Sequence, residues 1–473
     1  MQETINNING VINGFVWGPI MLILLVGTGI YYTIRTGFPQ ICHLGHALKN
    51  TLGKIFDKSE AGEGEVTPFQ AVSTALASTV GTGNIAGVTG AIVIGGPGAV
   101  FWMWVSAIFG MCTKFAEVTL AVKYREKNDK GDWVGGPMYY IRNGLGKNWA
   151  WLGIIFSIFG ALAAFGIGNL TQINSIATSV GSVFQAFDPN ISDKGLWYVY
   201  LVTGIVIAVF CAVTLIGGLK RIGSVTEKLV PFMAIIYILS ALVIVFANIG
   251  EIPHVIVDIF KGAFNPSAVA GGAFGATVRV AMTKGVARGV FSNEAGLGSA
   301  PIAHAASSEK NPVKQGLYGI FEVFMDTIVI CSLTAFVVLL SGAGYENAGN
   351  ADMAGAQTTI QGFSSVFGDK AGSIILAVGL ICFATSTILG WSLYGTRCCE
   401  FILGSKCIIP YQILFCIVVV VGSITELELV WNISDTLNGL MAIPNLIALL
   451  ALSPVVVKLI REYFVEVKEG KHL

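Results

Sequence analysis

The chain has 473 residues, 54% hydrophobic and only 12% charged, and its 28 basic and 28 acidic side chains cancel. Its mean hydropathy is +0.73, and a soluble domain carries about twice that share of charged residues. Disordered, fibrous, nucleic-acid-binding and soluble multidomain classes are thereby excluded, leaving an all-α polytopic membrane protein whose solvent is the lipid bilayer.

The 58 glycines show no three-residue repeat and suit close helix contacts within a bilayer. The nine cysteines lack metal-ligand spacing, and Cys398 and Cys399 are adjacent, so they read as small buried hydrophobes rather than disulfides or zinc ligands. No basic stretch precedes the first apolar run, so no cleavable signal peptide is expected.

A helix crossing the hydrocarbon takes about 20 apolar residues. In chain order, segments of that kind lie near 13–33, 66–95, 97–123, 149–180, 197–217, 225–248, 271–306, 314–342, 370–396, 407–423 and 430–458, which makes about eleven spans. With the N-terminus outside, 21 of the 28 Lys and Arg fall on the cytoplasmic side, among them Lys54, Lys58, Arg125, Lys310, Lys406 and Lys471. Only Lys194, Lys261 and Lys370 fall outside. The positive-inside rule requires such a split, so the count predicts a multi-pass protein of the cell membrane with its C-terminus in the cytoplasm.

The second and seventh spans are unlike the rest. The run Ser78-Thr79-Val80-Gly81-Thr82-Gly83-Asn84-Ile85-Ala86-Gly87 is a poor helix interior, and Gly289-Val290-Phe291-Ser292-Asn293-Glu294-Ala295-Gly296-Leu297-Gly298 is a second one. Each opens a set of five spans, 66–248 and 271–458. Because five is odd, the two sets cross the membrane in opposite senses. Interrupted helices at matching positions of inverted halves mark the binding site of a secondary transporter. Glycine-rich packing faces are the alternative. A break exposes amide groups suited to a carboxylate and carbonyls suited to a hard cation or an ammonium, so a zwitterion such as an amino acid matches both ends. Glu294, the only acid inside either break, either meets an ammonium or acts structurally, capping the second half-helix or pairing with Arg288.

At these residues the chain resembles the alanine or glycine:cation symporter family. The matching strings are Thr67-Pro68-Phe69-Gln70-Ala71, Gly81–Val88, Lys114-Phe115-Ala116-Glu117-Val118, Gly135-Gly136-Pro137-Met138-Tyr139-Tyr140-Ile141 and Gly289–Ala305. The resemblance spans roughly residues 13–460. It implies a sodium-driven importer of alanine or glycine on the leucine-transporter fold, one membrane domain over 1–473 with 13–33 peripheral. By this resemblance Gly81, Thr82, Gly83 and Asn84 line the carboxylate end, and Phe291, Ser292 and Asn293 complete the pocket. Phe165, Gly168, Asn169 and Gln172 share one helix face and form a pocket wall or an ordinary packing face. Trp391 closes the pocket over the substrate methyl, or is plain core.

For the sodium ion, the resemblance implies carbonyls of Val80 or Gly81, and Gly83, with hydroxyls from Thr385, Ser386 and Thr387, chiefly the last two. Hydroxyl back-bonding within the helix is the alternative. No obligatory protein partner is evident. Glu322, Asp326, Lys114, Glu117, Arg397 and Glu400 read as loop-side ion pairs or a gate. The segment 135–147 reads as an amphipathic surface helix, and 343–369 as a lid. The rival readings are a proton-coupled or exchange transporter on the same fold and, remotely, an intramembrane enzyme or a channel.

Overall fold

The computed structural model describes residues 2–51, 53, 62, 64–265, 277–425 and 428–469, with backbone alone for 2–7 and 428–432. Residues 271–276, the expected start of the seventh span, and Lys54, Lys58 and Lys471 of the charge count lie outside the described residues. Among the described residues nine helices are long and apolar enough to cross a bilayer, and Pro68–Thr79 with Gly83–Gly95 forms a tenth, bent by 50°. The eleventh expected span is Val278–Asn293, an irregular turn, and the short helix Pro301–His304.

Local chemistry explains where the spans begin. Thr67 and Gln70 form a reciprocal capping box, with Pro68 in the first helical turn, and start the second span. Asn311 accepts from the amides of Val313 and Lys314 ahead of the eighth, Pro312–Leu340. The fourth span runs Lys147–Phe187 with a wide π turn at Gly166–Leu170. The expected final span 430–458 divides into Glu428–Ala451 and a separate helix Ser453–Lys468. Pro454 at the second helix's start cannot continue the first. One helix was not anticipated: Ile252–Phe264 buries Val255, Ile259 and Ala263, and Gly262 leaves no space for a Cβ at Gly98 of the third span, Gly98–Lys123.

The segment 135–147 departs from expectation. It forms Pro137–Tyr140 and a π turn Ile141–Leu145. Met138, Tyr139, Tyr140 and Ile141 are all buried, while Asn143 and Lys147 are exposed. The Tyr140 hydroxyl donates to Asn445 Oδ1 of the last span. In the loop 343–369, the amphipathic part folds as the helix Ala356–Phe367.

Two of the intramembrane charges pair deep inside. Lys114 Nζ lies 3.2 Å from Glu322 Oε1, both side chains 0% exposed. Glu322 Oε2 is 3.1 Å from His304 Nε2, and His304 Nδ1 is 2.8 Å from Gln315 Nε2. Glu117 turns away from this chain and accepts from the Gly296 amide at 3.1 Å and Asn445 Nδ2 at 2.6 Å. Arg397 bridges Glu400 at 2.6 Å and Asp132 at 3.0 Å.

Asp132 belongs to a short hairpin, Glu126–Lys127 paired with Trp133–Val134, that covers one end of the bundle. Arg125 donates to the carbonyls of Ala305 at 3.0 Å, Ser307, and Glu309 at 2.9 Å. Its guanidinium also sits 4.5 Å over the Trp133 ring, whose Nε1 donates to Glu65. The approaches to both broken spans and the end of the ninth, Asp369–Leu403, are therefore tied together at this hairpin end.

Removing one partner of a buried ion pair strands the other in low dielectric and costs about 3–5 kcal/mol. Glu322→Ala is expected to lower the melting temperature in detergent markedly. The double change Lys114→Met with Glu322→Leu is expected to recover most of the loss, and thermal denaturation of the three proteins checks it.

Candidate functional site

The site begins where the second span breaks. Pro68–Thr79 stops because Val80 leaves helical geometry at φ −81 and ψ 91. In a continuing helix the Gly81 amide would return to the Ala77 carbonyl. Here Gly81 N–H donates to Asn84 Oδ1 at 2.8 Å, and Thr82 N–H to Gln172 Oε1 at 3.3 Å. The Ala77 carbonyl is thus released from the helix ladder.

The ninth span uses it. Ser386 Oγ and Thr387 Oγ1 reach Ala77 O at 3.2 and 3.0 Å, and Phe383 O at 2.7 and 3.0 Å. Thr387 Oγ1 is also 3.4 Å from Val80 O. Two carbonyl oxygens at the end of Pro68–Thr79 therefore meet two hydroxyls where the dipole favours positive charge, while the bonds of both hydroxyls to Phe383 O are back-bonds within the ninth span. This neutral oxygen set suits a hard monovalent cation. Of the residues expected here, Val80, Ser386 and Thr387 converge. Gly81 O accepts from Asn84 N, Gly83 O from Val88 N, and Thr385 Oγ1 is buried without a partner among the described residues. Ala77 and Phe383 act through backbone oxygens, which carry no residue-type signal.

The seventh span breaks after Val278–Asn293, where Glu294 adopts a left-handed φ of 57. Side chains again satisfy the opened backbone: Ala295 N–H donates to Asn293 Oδ1 at 3.0 Å, and Gly296 O accepts from Asn445 Nδ2 at 2.9 Å. Glu294 Oε2 accepts from Ser299 Oγ at 2.5 Å. Arg288 lies 5.2 Å over the Phe291 ring, so this cation meets an aromatic face.

Asp326 joins the two breaks. Its carboxylate accepts from Asn84 Nδ2 at 2.6 Å, Ser292 Oγ at 3.1 Å and Thr327 Oγ1 at 2.7 Å, while Asn293 Nδ2 donates to Thr327 Oγ1. The residue sits in the π segment Phe324–Cys331 in the middle of the eighth span, not at its loop end as its sequence position suggested. Asn84, Ser292 and Asn293 consequently spend their side chains on this hub.

A chamber of about 20 Å³ lies between the breaks, walled by Ser78, Thr79, Gly81, Gly83, Ile167, Gln172, Phe291, Glu294, Thr387, Trp391 and Asn438. That volume holds about one water. Trp391 packs edge-on to Tyr394 at 5.5 Å, directly on Gly168, where a Cβ would stand 2.2 Å from Trp391 Cβ. Of the predicted wall on the fourth span, Gln172 lines the chamber. Phe165 instead stacks beside Tyr411 and Phe415 at 4.9 and 5.5 Å, and Asn169 Nδ2 bonds Phe415 O. Asn438, unanticipated, is a polar side chain at mid-span, a signal that applies to any intramembrane helix.

A larger cavity of about 450 Å³ opens above Phe291 at the end opposite the hairpin, lined by Thr82, Gly83, Lys284, Arg288, Asp352 and Gln357 among others. Phe291 and Gly83 line both spaces.

The sequence model of the Sodium:alanine symporter family matches residues 2–473. The sodium/alanine symporter AgcS of Methanococcus maripaludis is 51% identical over 451 residues, 94% of each chain. The probable sodium/glutamine symporter GlnT of Bacillus subtilis is 38% identical over 100% of this chain and 93% of its own. Among solved structures, MhsT in complex with L-phenylalanine aligns at a TM-score of 0.57 and 11% identity, covering 85% of this chain and 99% of that one. Likeness at that identity shows the shared leucine-transporter fold.

Gly168→Ala forces Trp391 to move, and overpacking of this kind costs about 1–3 kcal/mol. A clear fall in melting temperature is expected. Gly379→Ala, whose nearest neighbour would be Tyr237 Cδ2 at 3.7 Å, is expected to cause none, and thermal scans of the pair check the contrast.

Proposed function

The chain belongs to the sodium:alanine symporter family and is a membrane transporter rather than an enzyme, and from that premise we propose that it couples an inward sodium gradient to uptake of alanine or glycine. The observation that carries this reading is the acid-free oxygen set Ala77, Val80, Phe383, Ser386 and Thr387 beside a small chamber between two broken helices. Sodium binds there through carbonyls and hydroxyls. The amino acid occupies the chamber after it widens, flanked by Gly81, Thr82 and Gly83 on one side and Phe291 and Trp391 on the other. Two large aromatic rings around so little space favour alanine or glycine over a longer side chain such as glutamine.

Transport proceeds by alternating access between the inverted five-span halves 66–248 and 271–458. The hairpin end, rich in Lys and Arg, is cytoplasmic by the positive-inside rule, the N-terminus is outside, and the membrane is the cell membrane. In this form the outer cavity stands open above Phe291 and the hairpin seals the inner side. Because Arg125 ties 305–309 to the hairpin, breaking it favours the inward-facing form.

Two measurements test these statements. L-Alanine binding to purified protein is expected in sodium and not in potassium at equal ionic strength, and Ser386→Ala with Thr387→Ala is expected to weaken the sodium dependence at least tenfold. A loss of about 1.4 kcal/mol suffices for that factor. Equal binding in potassium would favour the proton-coupled reading, for which Glu294 in the chamber wall is the candidate acid. Spin labels at Lys130→Cys and Lys310→Cys, in a background lacking native cysteines, are expected to move apart when Arg125→Ala is added, and an unchanged distance distribution would refute this role of Arg125.

A further inference from the structure

Most polar side chains of the chamber wall already have hydrogen-bond partners. Ser78 Oγ donates to Thr74 O at 3.0 Å and Thr79 Oγ1 to Ala75 O at 3.2 Å. Gln172 bonds Thr82 N through its oxygen and Ile167 O through its nitrogen, and Thr387 belongs to the ion site. Two acceptors remain. Asn438 Oδ1 is buried, with its residue 1% exposed, and has no partner among the described residues. The Glu294 carboxylate, whose Oε2 takes the Ser299 hydroxyl, is the other.

An unpartnered acceptor and a carboxylate side chain in the wall of one small space suit a cationic group with several donors. A buried acceptor left without a donor is unfavourable, and a primary ammonium brings three. A substrate carboxylate in the same place would face Glu294. The position of Asn438 is rigid. One turn before it, Ser434 packs so closely on the fourth span that a Cβ on Gly166 would stand 1.8 Å from Ser434 Oγ. Two turns after it, Asn445 is locked to Glu117 and Gly296. Groups held this way need little reorganisation to bind.

We propose that Asn438, on the last span and outside both broken helices, accepts from the ammonium group of the substrate together with Glu294, and so selects for a free α-amine. This assignment rests on the amino-acid reading of the chamber. It places the carboxylate of the substrate at the opposite wall, toward Gly83 and the ion site. It also makes the last span a recognition element and not only packing.

The test is L-alanine binding in sodium to the purified full-length protein and to two variants, with the sodium-induced rise in melting temperature as a check that fold and ion site survive. Asn438→Leu keeps the bulk and removes the acceptor, so Kd is expected to rise roughly 10- to 100-fold, the range for a hydrogen bond to a charged group. Asn438→Asp keeps an acceptor and adds negative charge, so Kd is expected to stay within about threefold of the parent or to tighten. If Asn438 instead donated to the substrate carboxylate, Asp would abolish binding, and that result overturns the assignment. So does an Asn438→Leu protein that binds alanine as the parent does. Should Leu fail the sodium check, the Asp variant alone still decides the sign. If the parent protein binds alanine and neither variant behaves as stated, the ammonium assignment fails and the transport reading stands. A parent that binds no small amino acid in sodium overturns both.

Discussion

Everything in this molecule depends on one requirement: backbone opened at membrane depth must still be hydrogen-bonded. Asn84 meets it at the first break. Its carboxamide oxygen takes the Gly81 amide while its nitrogen is held by Asp326. That substitution leaves the Ala77 carbonyl free, and the free carbonyl is what Ser386 and Thr387 reach from the ninth span. The oxygen cluster at which we propose that the cation binds is thus the by-product of how the helix is interrupted. The second break follows the same logic with Asn293, Glu117 and Asn445 as the substitutes.

Those substitutes also couple the breaks. Asp326 touches Asn84 of the second span and Ser292 of the seventh, so neither interruption can rearrange without the other. A buried carboxylate met only by neutral donors is costly to desolvate, and such a group is retained where it holds a particular arrangement together. The chain from Lys114 through Glu322 and His304 to Gln315 extends the same buried polarity toward the hairpin end. There Arg125 fastens the backbone of 305–309. Polar side chains thus run from the centre of the bundle to one of its ends, while at the other end open space reaches Phe291.

Tight packing does complementary work. Gly81 has room for no Cβ against Thr387, Gly166 none against Ser434, and Gly168 none against Trp391. These contacts bring the second and fourth spans against the ninth and last at backbone distance, which sets the chamber near the size of a single water. Small residues at such crossings are what permit close approach where lipid gives helices no hydrophobic reason to associate.

Much of this was legible in the residues: apolar length located nearly every span, and glycines mixed with Ser, Thr and Asn located both interruptions. What escaped falls into two physical kinds. Ala77 and Phe383 meet Ser386 and Thr387 through carbonyls, which every residue type carries alike, so no letter of the sequence marks them. Asn438, Phe165 and Asp326 differ in which way their side chains face, and that depends on how helices hundreds of residues apart cross. Periodicity places a residue on one face of its own helix, as it placed Phe165, Gly168 and Gln172 together. Which part of that face meets the chamber and which meets Tyr411 and Phe415 is settled by the neighbouring helix, through contacts that act over distance in space and leave no trace in local pattern.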